Sequence, residues 1–230
     1  MSDPSTTFAV LGSLNMLAGG LFLLCAFGIV ATRQVKGCLG LFIIQSLLLA
    51  ASALFLGLQH GSWHLCGVAL VNLIAKPVLI PWLLRRTVHE EVYSRREIDQ
   101  VLNIPTSLLI ALALVILAYF LAIPVQQALE PQFQSGNVAI GLAGLFLGAY
   151  TLAVRREALP LLLGLLAMEN GAFFVGIAIS RELPLLVELA IATDSLIVAF
   201  ILGVLTRAAH QHIGSTAVGA LAALKEEVQR

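Results

Sequence analysis

Charge is what this chain has least of. Only 11% of its 230 residues are Asp, Glu, Lys or Arg, against roughly 25% in soluble domains. Basic and acidic residues balance at 13 each, which makes nucleic acid a poor partner, since binding it calls for a basic face. Cysteine is scarce as well. Cys25, Cys38 and Cys66 form no CxxC or Cys/His spacing, so they are read as small core residues rather than metal ligands. The N-terminal MSDPSTTF has no basic stretch of the kind that opens a cleavable signal, so the first apolar run is expected to stay as a helix. A Gly-rich phosphate loop, a Ser/His/Asp set and haem or iron–sulfur motifs are all missing. No cofactor is therefore expected, and the chain has nothing with which to catalyse a redox or hydrolytic reaction alone.

What fills the chain is apolar: 59% of the residues are hydrophobic and the mean hydropathy is +0.97. This composition belongs to an integral membrane protein. A helix rises 1.5 Å per residue, so about 20 apolar residues cross the hydrocarbon layer. Seven runs meet that ruler: 8–31, 38–58, 64–84, 105–127, 137–154, 157–180 and 183–207. Loop charge orients them. With the N-terminus outside and the C-terminus inside, eleven of the 13 basic residues fall inside, among them Arg85, Arg86, Arg155 and Arg156. Arg181 alone is outside, and Lys76 is within the membrane. The fold class expected is all-α, with seven transmembrane helices.

The segment Arg85–Asn103 mixes both charge signs with apolar positions, so it suits either a short interfacial helix or a solvated loop docking on a neighbour. Pro105 is expected to start the following span. His60 and His64 flank Trp63 at the outer surface, where aromatic anchors belong. His210 and His212 follow the last run and read as a solvated turn, not a metal site.

Two stretches look alike: VATRQVKGCLGLFIIQSLLLAASALFLGL and LAVRREALPLLLGLLAMENGAFFVGIAI. Each is the end of a span, a basic turn, and a second span with polar character near its middle. A third span follows each, carrying Lys76 in the first copy and Asp194 in the second. Parallel copies of a three-helix unit need one extra span between them, which 105–127 supplies. The resulting 3+1+3 plan divides the chain into 1–104, 105–136 and 137–230.

Ionisable groups at mid-depth are expensive, about 2.5–3.5 kcal/mol each on insertion scales. Glu169, in LLAMENGAFF, and Asp194, in AIATDSLIVAF, are therefore candidates for carboxylates that take up and release protons. The alternative is a carboxyl bonded to a neighbouring helix or to Asn170. Lys76 precedes Pro77, which frees a backbone carbonyl one turn back; Lys76 either pairs with an acid across the bundle or switches charge. Glu188 lies six residues before Asp194, on a different helical face, as an entry point or partner contact. Gln45, Asn15 and Asn72 are each read first as helix–helix hydrogen bonds.

The stretch AVRREALPLLLGLLAMENGAFF followed by ELPLLVELAIATDSLIVAFILGVL resembles the K-type membrane subunit of respiratory complex I and the C subunit of Mrp antiporters. With the extra N-terminal spans, the whole chain resembles the hydrogenase-4 component E family of formate hydrogenlyase-type complexes. The resemblance is most specific in the ENG and LVEL…D elements, over residues 137–212. It implies a glutamate in each of the last two spans that takes part in proton transfer. Asp194 falls on the second of those positions. Leu166 falls on the first, with Glu169 one turn further along the same face. The implied function is that of a subunit of a proton-translocating redox complex in a bacterial or archaeal cytoplasmic membrane. Implied partners are antiporter-like membrane subunits and a soluble [NiFe]-hydrogenase arm. A subunit of a cation/proton antiporter and a structural scaffold are the other two readings.

Overall fold

The computed structural model describes residues 4–82, 102–128 and 137–179, together with Ile197, Phe200 and Val204. The described residues form six helices long and apolar enough to cross a membrane. They are α1 (Pro4–Ala31), α2 (Val35–His60), α3 (Trp63–Ile74, continuing to Trp82), α4 (Ile104–Ala128), α5 (Asn137–Val154) and α6 (Ala158–Ile179). They match the first six predicted runs to within a few residues. The seventh run, with Glu188 and Asp194, lies outside the described residues apart from Ile197, Phe200 and Val204, which are helical and exposed. Residues 83–101, most of the charged loop, and the tail also lie outside them.

Local chemistry sets the ends. Gly61 closes α2 at φ 64°, in the left-handed region that glycine enters without a Cβ penalty. The Ser62 N–H then bonds the Gly57 carbonyl at 2.9 Å. Ser62 also begins α3, its side chain accepting from the Leu65 N–H at 3.4 Å. Two residues thus turn the chain back across the membrane.

Within α3 the backbone widens into a π turn over Ala75–Leu79, where the Ile80 N–H bonds the Ala75 carbonyl. Pro77 accounts for it. A proline has no N–H to donate and its ring crowds the carbonyl four residues back, and the wider turn relieves both.

The helices are apolar on every side, so small and polar residues choose their faces. The closest pair is α5 with α6. Gly141, Gly144 and Gly148 line one face of α5 and admit the α6 backbone. A Cβ on Gly141 would lie 2.6 Å from the Val175 nitrogen, and one on Gly148 or Gly171 would overlap the backbone of Met168 or Leu145. The glycines of 137–154 are the reason this helix packs so closely. Helix α1 packs on α2 and α5, α2 on α3 and α6, and α4 on α5 and α1. Helix α4 turns Leu109, Leu112, Ile116 and Phe120 outward, as a lipid-facing helix does.

The turn between α5 and α6 holds a surprise. Arg155, counted in the sequence among the basic residues on the inside, is only 4% exposed. Its Nη2 donates to the carbonyls of Ile29 and Thr32 at 2.8 Å and of Val30 at 3.2 Å. These carbonyls lie at the C-terminal end of α1, where intrahelical donors run out and a cation is favoured. Burial lowers the Arg155 pKa, opposed by Cys38 and Glu157, but a guanidinium stays charged all the same. The contact ties the start of α6 to the end of α1.

Two glycine substitutions separate packing from helix propensity. Gly171→Ala is expected to destabilise the protein by about 1–3 kcal/mol through overpacking. Gly20→Ala has nothing within 4 Å of the new Cβ and is expected to be neutral or stabilising by up to about 1 kcal/mol. Thermal unfolding in detergent measures both.

Candidate functional site

Helix α6 carries two adjacent polar residues, Glu169 and Asn170, in an otherwise apolar run. On one side of them along the helix, Leu159, Leu162, Leu163 and Leu166 join Ile29, Phe42 and Ile80 in a buried cluster. On the other side, Phe173, Phe174 and Ile177 join Phe22, Leu49, Leu65 and Val68 in a second. Gln45 and Ser46 lie between Phe42 and Leu49 on α2, and Lys76 lies between Ala69 and Ile80 on α3. The polar groups of three helices therefore meet in one mid-depth layer with an apolar seal on each side.

Lys76 is 1% exposed, and its Nζ donates to Asn170 Oδ1 at 3.0 Å. The Glu169 carboxylate oxygen Oε2 is 3.8 Å from the same nitrogen, with its side chain 27% exposed. The Phe173 ring lies 5.8 Å from Nζ, within cation–π range. Asn170 completes the layer. Its Nδ2 donates to Ser46 Oγ at 2.9 Å and to Gln45 Oε1 at 3.5 Å. Gln45 Nε2 is buried with no acceptor among the described residues.

Of the residues singled out in the sequence, Lys76, Glu169 and Gln45 are brought together here. Asn15 accepts from Ser52 Oγ at 2.6 Å, joining α1 to α2 apart from that layer. Asn72 donates to the Val68 carbonyl of its own helix at 3.4 Å. Asp194 and Glu188 lie outside the described residues. Leu166, aligned with a family glutamate, is buried in the apolar cluster beside the layer. Glu169, one turn on, is the position Lys76 reaches.

Sequence reasoning missed Ser46 and the true partner of Asn170. An amide and a hydroxyl next to Glu169 and Gln45, in runs otherwise apolar, were the available signal. Among the described residues, no three His, Cys, Asp or Glu side chains are grouped to hold a metal.

These features define an all-α, multi-pass membrane protein with an ionisable layer buried between its helices. The chain is similar over nearly its whole length to hydrogenase-4 component E of Escherichia coli. The two are 27% identical over 220 residues, covering 92% of this chain and 97% of that protein. An uncharacterized protein of Mycobacterium tuberculosis is 28% identical over 222 residues, covering 96% and 99%. No family model matches the chain, and no solved structure matches it.

Removing one member of a buried pair leaves the other's charge uncompensated, at a cost of about 3–5 kcal/mol, whereas removing both is often close to neutral. Lys76→Met is therefore expected to lower the thermal midpoint in detergent clearly, and Lys76→Met combined with Glu169→Gln to recover most of the loss.

Proposed function

We propose that this chain is a membrane subunit of a hydrogenase-4-type redox complex, in which Lys76 and Glu169 exchange protons during turnover. One observation carries the reading: an ammonium and a carboxylate 3.8 Å apart, held at mid-depth between two apolar seals. Insertion energetics disfavour keeping both groups there without a use for them. The similarity to hydrogenase-4 component E along the whole chain supports the setting.

The seals bear on direction. Apolar clusters flank the layer toward both membrane faces, whereas Glu169 keeps some exposure. Protons would accordingly pass sideways, from helix to helix in the membrane plane, into and out of neighbouring subunits. Asp194 is the next carboxylate on this route, and Glu188 an entry or contact point. The redox centres belong to partners: a soluble [NiFe]-hydrogenase arm docked on the inner face, with antiporter-like subunits beside this chain in the bilayer.

An N-out/C-in topology and the parallel 3+1+3 plan complete the reading. The packing of α1 on α5 and of α2 on α6 supports two like units related by a rotation, because corresponding helices then meet.

The test uses the complex purified with its native partners and reconstituted in vesicles. Copurification of [NiFe]-hydrogenase and antiporter-like subunits is expected. Glu169→Gln is expected to cut protons translocated per electron pair by about tenfold or more, within the range that a positioned proton-transfer group contributes. Normal assembly with normal translocation would defeat the proposal.

A further inference from the structure

Of the five lysines and arginines among the described residues, all but Lys76 gather at one end of the bundle. Arg33 and Lys36 stand where α1 gives way to α2, and Arg155 and Arg156 where α5 gives way to α6. The bonds from Arg155 to the Ile29, Val30 and Thr32 carbonyls bring the two turns together. None of these four cations forms an ion pair among the described residues. Glu157 is the one carboxylate described at this end, and it is buried.

Water solvates a cation at a membrane edge, and Arg33, Lys36 and Arg156 are exposed. Arg155 has no such help. It is 4% exposed, and its Nε and Nη1 are closed to water with no acceptor among the described residues. The carbonyls on Nη2 offer partial charges, where a buried guanidinium calls for a full negative one. The Tyr150 hydroxyl is likewise buried without a partner among the described residues, and its ring packs on the cluster that holds Val30. Burial lowers the Arg155 pKa, Cys38 and Glu157 oppose it, Arg33 lowers it further and Tyr150 opposes it too. All of these groups therefore lie within electrostatic reach of one guanidinium.

An anion that satisfies this end must present acceptor oxygens in several directions at once. A phosphate does so better than a carboxylate, because its oxygens are disposed tetrahedrally and guanidinium groups match it bidentately. Helix α2 starts here with no side-chain cap from Gln34, so its first N–H groups and its dipole favour an anion as well. The place also suits one: basic pockets between helix ends at a membrane surface take anionic headgroups. We propose that this end of the bundle is a phosphate-binding site, with Arg155 and Tyr150 at its base and Arg33 and Arg156 at its rim, for a phospholipid headgroup or free phosphate. The ligand reaches the base by parting the rim, whose long exposed side chains move at little cost. Once bound it ties the α1–α2 turn to the α5–α6 turn, beside the tie that Arg155 already makes. The site stands apart from the mid-depth layer and does not depend on the proton-exchange reading.

The test uses the full chain, purified in an uncharged detergent and stripped of lipid. It is titrated with phosphatidylglycerol, phosphatidylcholine, inorganic phosphate, and chloride at matched ionic strength. The thermal midpoint reports binding, and native mass spectrometry counts retained lipid. A headgroup site is expected to give a saturable rise with phosphatidylglycerol well above that with phosphatidylcholine, and one retained molecule. A free-phosphate site is expected to give the rise with inorganic phosphate and not with chloride; either pattern upholds the proposal. Arg33→Gln and Arg156→Gln change exposed side chains, so the fold survives them, and each is expected to weaken apparent affinity about tenfold, the factor of one charge-assisted hydrogen bond. Tyr150→Phe keeps the ring in its cluster and removes only the hydroxyl, and is expected to weaken binding several-fold. A response to phosphatidylglycerol and phosphate no greater than to phosphatidylcholine and chloride overturns the proposal. So does a loss of affinity in the two arginine variants with none in Tyr150→Phe, which would mark a basic surface with no buried base beneath it.

Discussion

The contact on which the site depends is the one between Lys76 and α6. In a bilayer, helices gain nothing by leaving apolar lipid for apolar protein, so small-residue packing and interhelical polar bonds decide which faces meet. Here an ammonium from α3 reaches an amide and a carboxylate of α6, and the amide reaches a hydroxyl and a second amide of α2. Two side chains, Lys76 and Asn170, thus fix the rotation of three helices relative to one another. Lys76 also puts a charge where leaving it unpaired would be hardest to sustain.

Everything around that contact serves to hold it still. The π turn at Pro77 sets the backbone from which Lys76 projects. The glycine face of α5 lets α6 approach closely, so α6 is gripped on the side away from the polar layer. At one end of the bundle, Arg155 anchors the start of α6 to the carbonyls that end α1. Leucines and phenylalanines flank the layer on both sides, excluding water along the helix axes and keeping its electrostatics strong.

The spans were legible because each must satisfy one rule of length and polarity, and six of the seven predicted runs coincide with described helices. Pro77 also announced itself, whereas the role of the glycines of 137–154 emerged only with their packing partners. The site was legible as residues but not as a layer. Lys76 and Glu169 were both conspicuous, yet nothing in a periodic apolar sequence says which helices are neighbours or how each is rotated. Asn170 was therefore read beside Glu169, its neighbour in the chain, when its side chain faces Lys76 and α2. The burial of Arg155 was not legible for a related reason. In a short turn its long side chain folds back onto the helix end beside it, which a count of loop charges does not convey. Asp194 and Glu188 lie outside the described residues and keep the status the sequence assigned them.

The central claim is that Glu169 changes protonation as the complex works. Infrared difference spectroscopy of the intact, turning-over complex tests it most directly, because a protonated carboxyl in an apolar site absorbs apart from a carboxylate. The account predicts a carboxyl band that appears or vanishes with turnover and is missing from the Glu169→Gln complex. A difference spectrum identical in the native and Glu169→Gln complexes would mean that Glu169 keeps one protonation state throughout, and would contradict it.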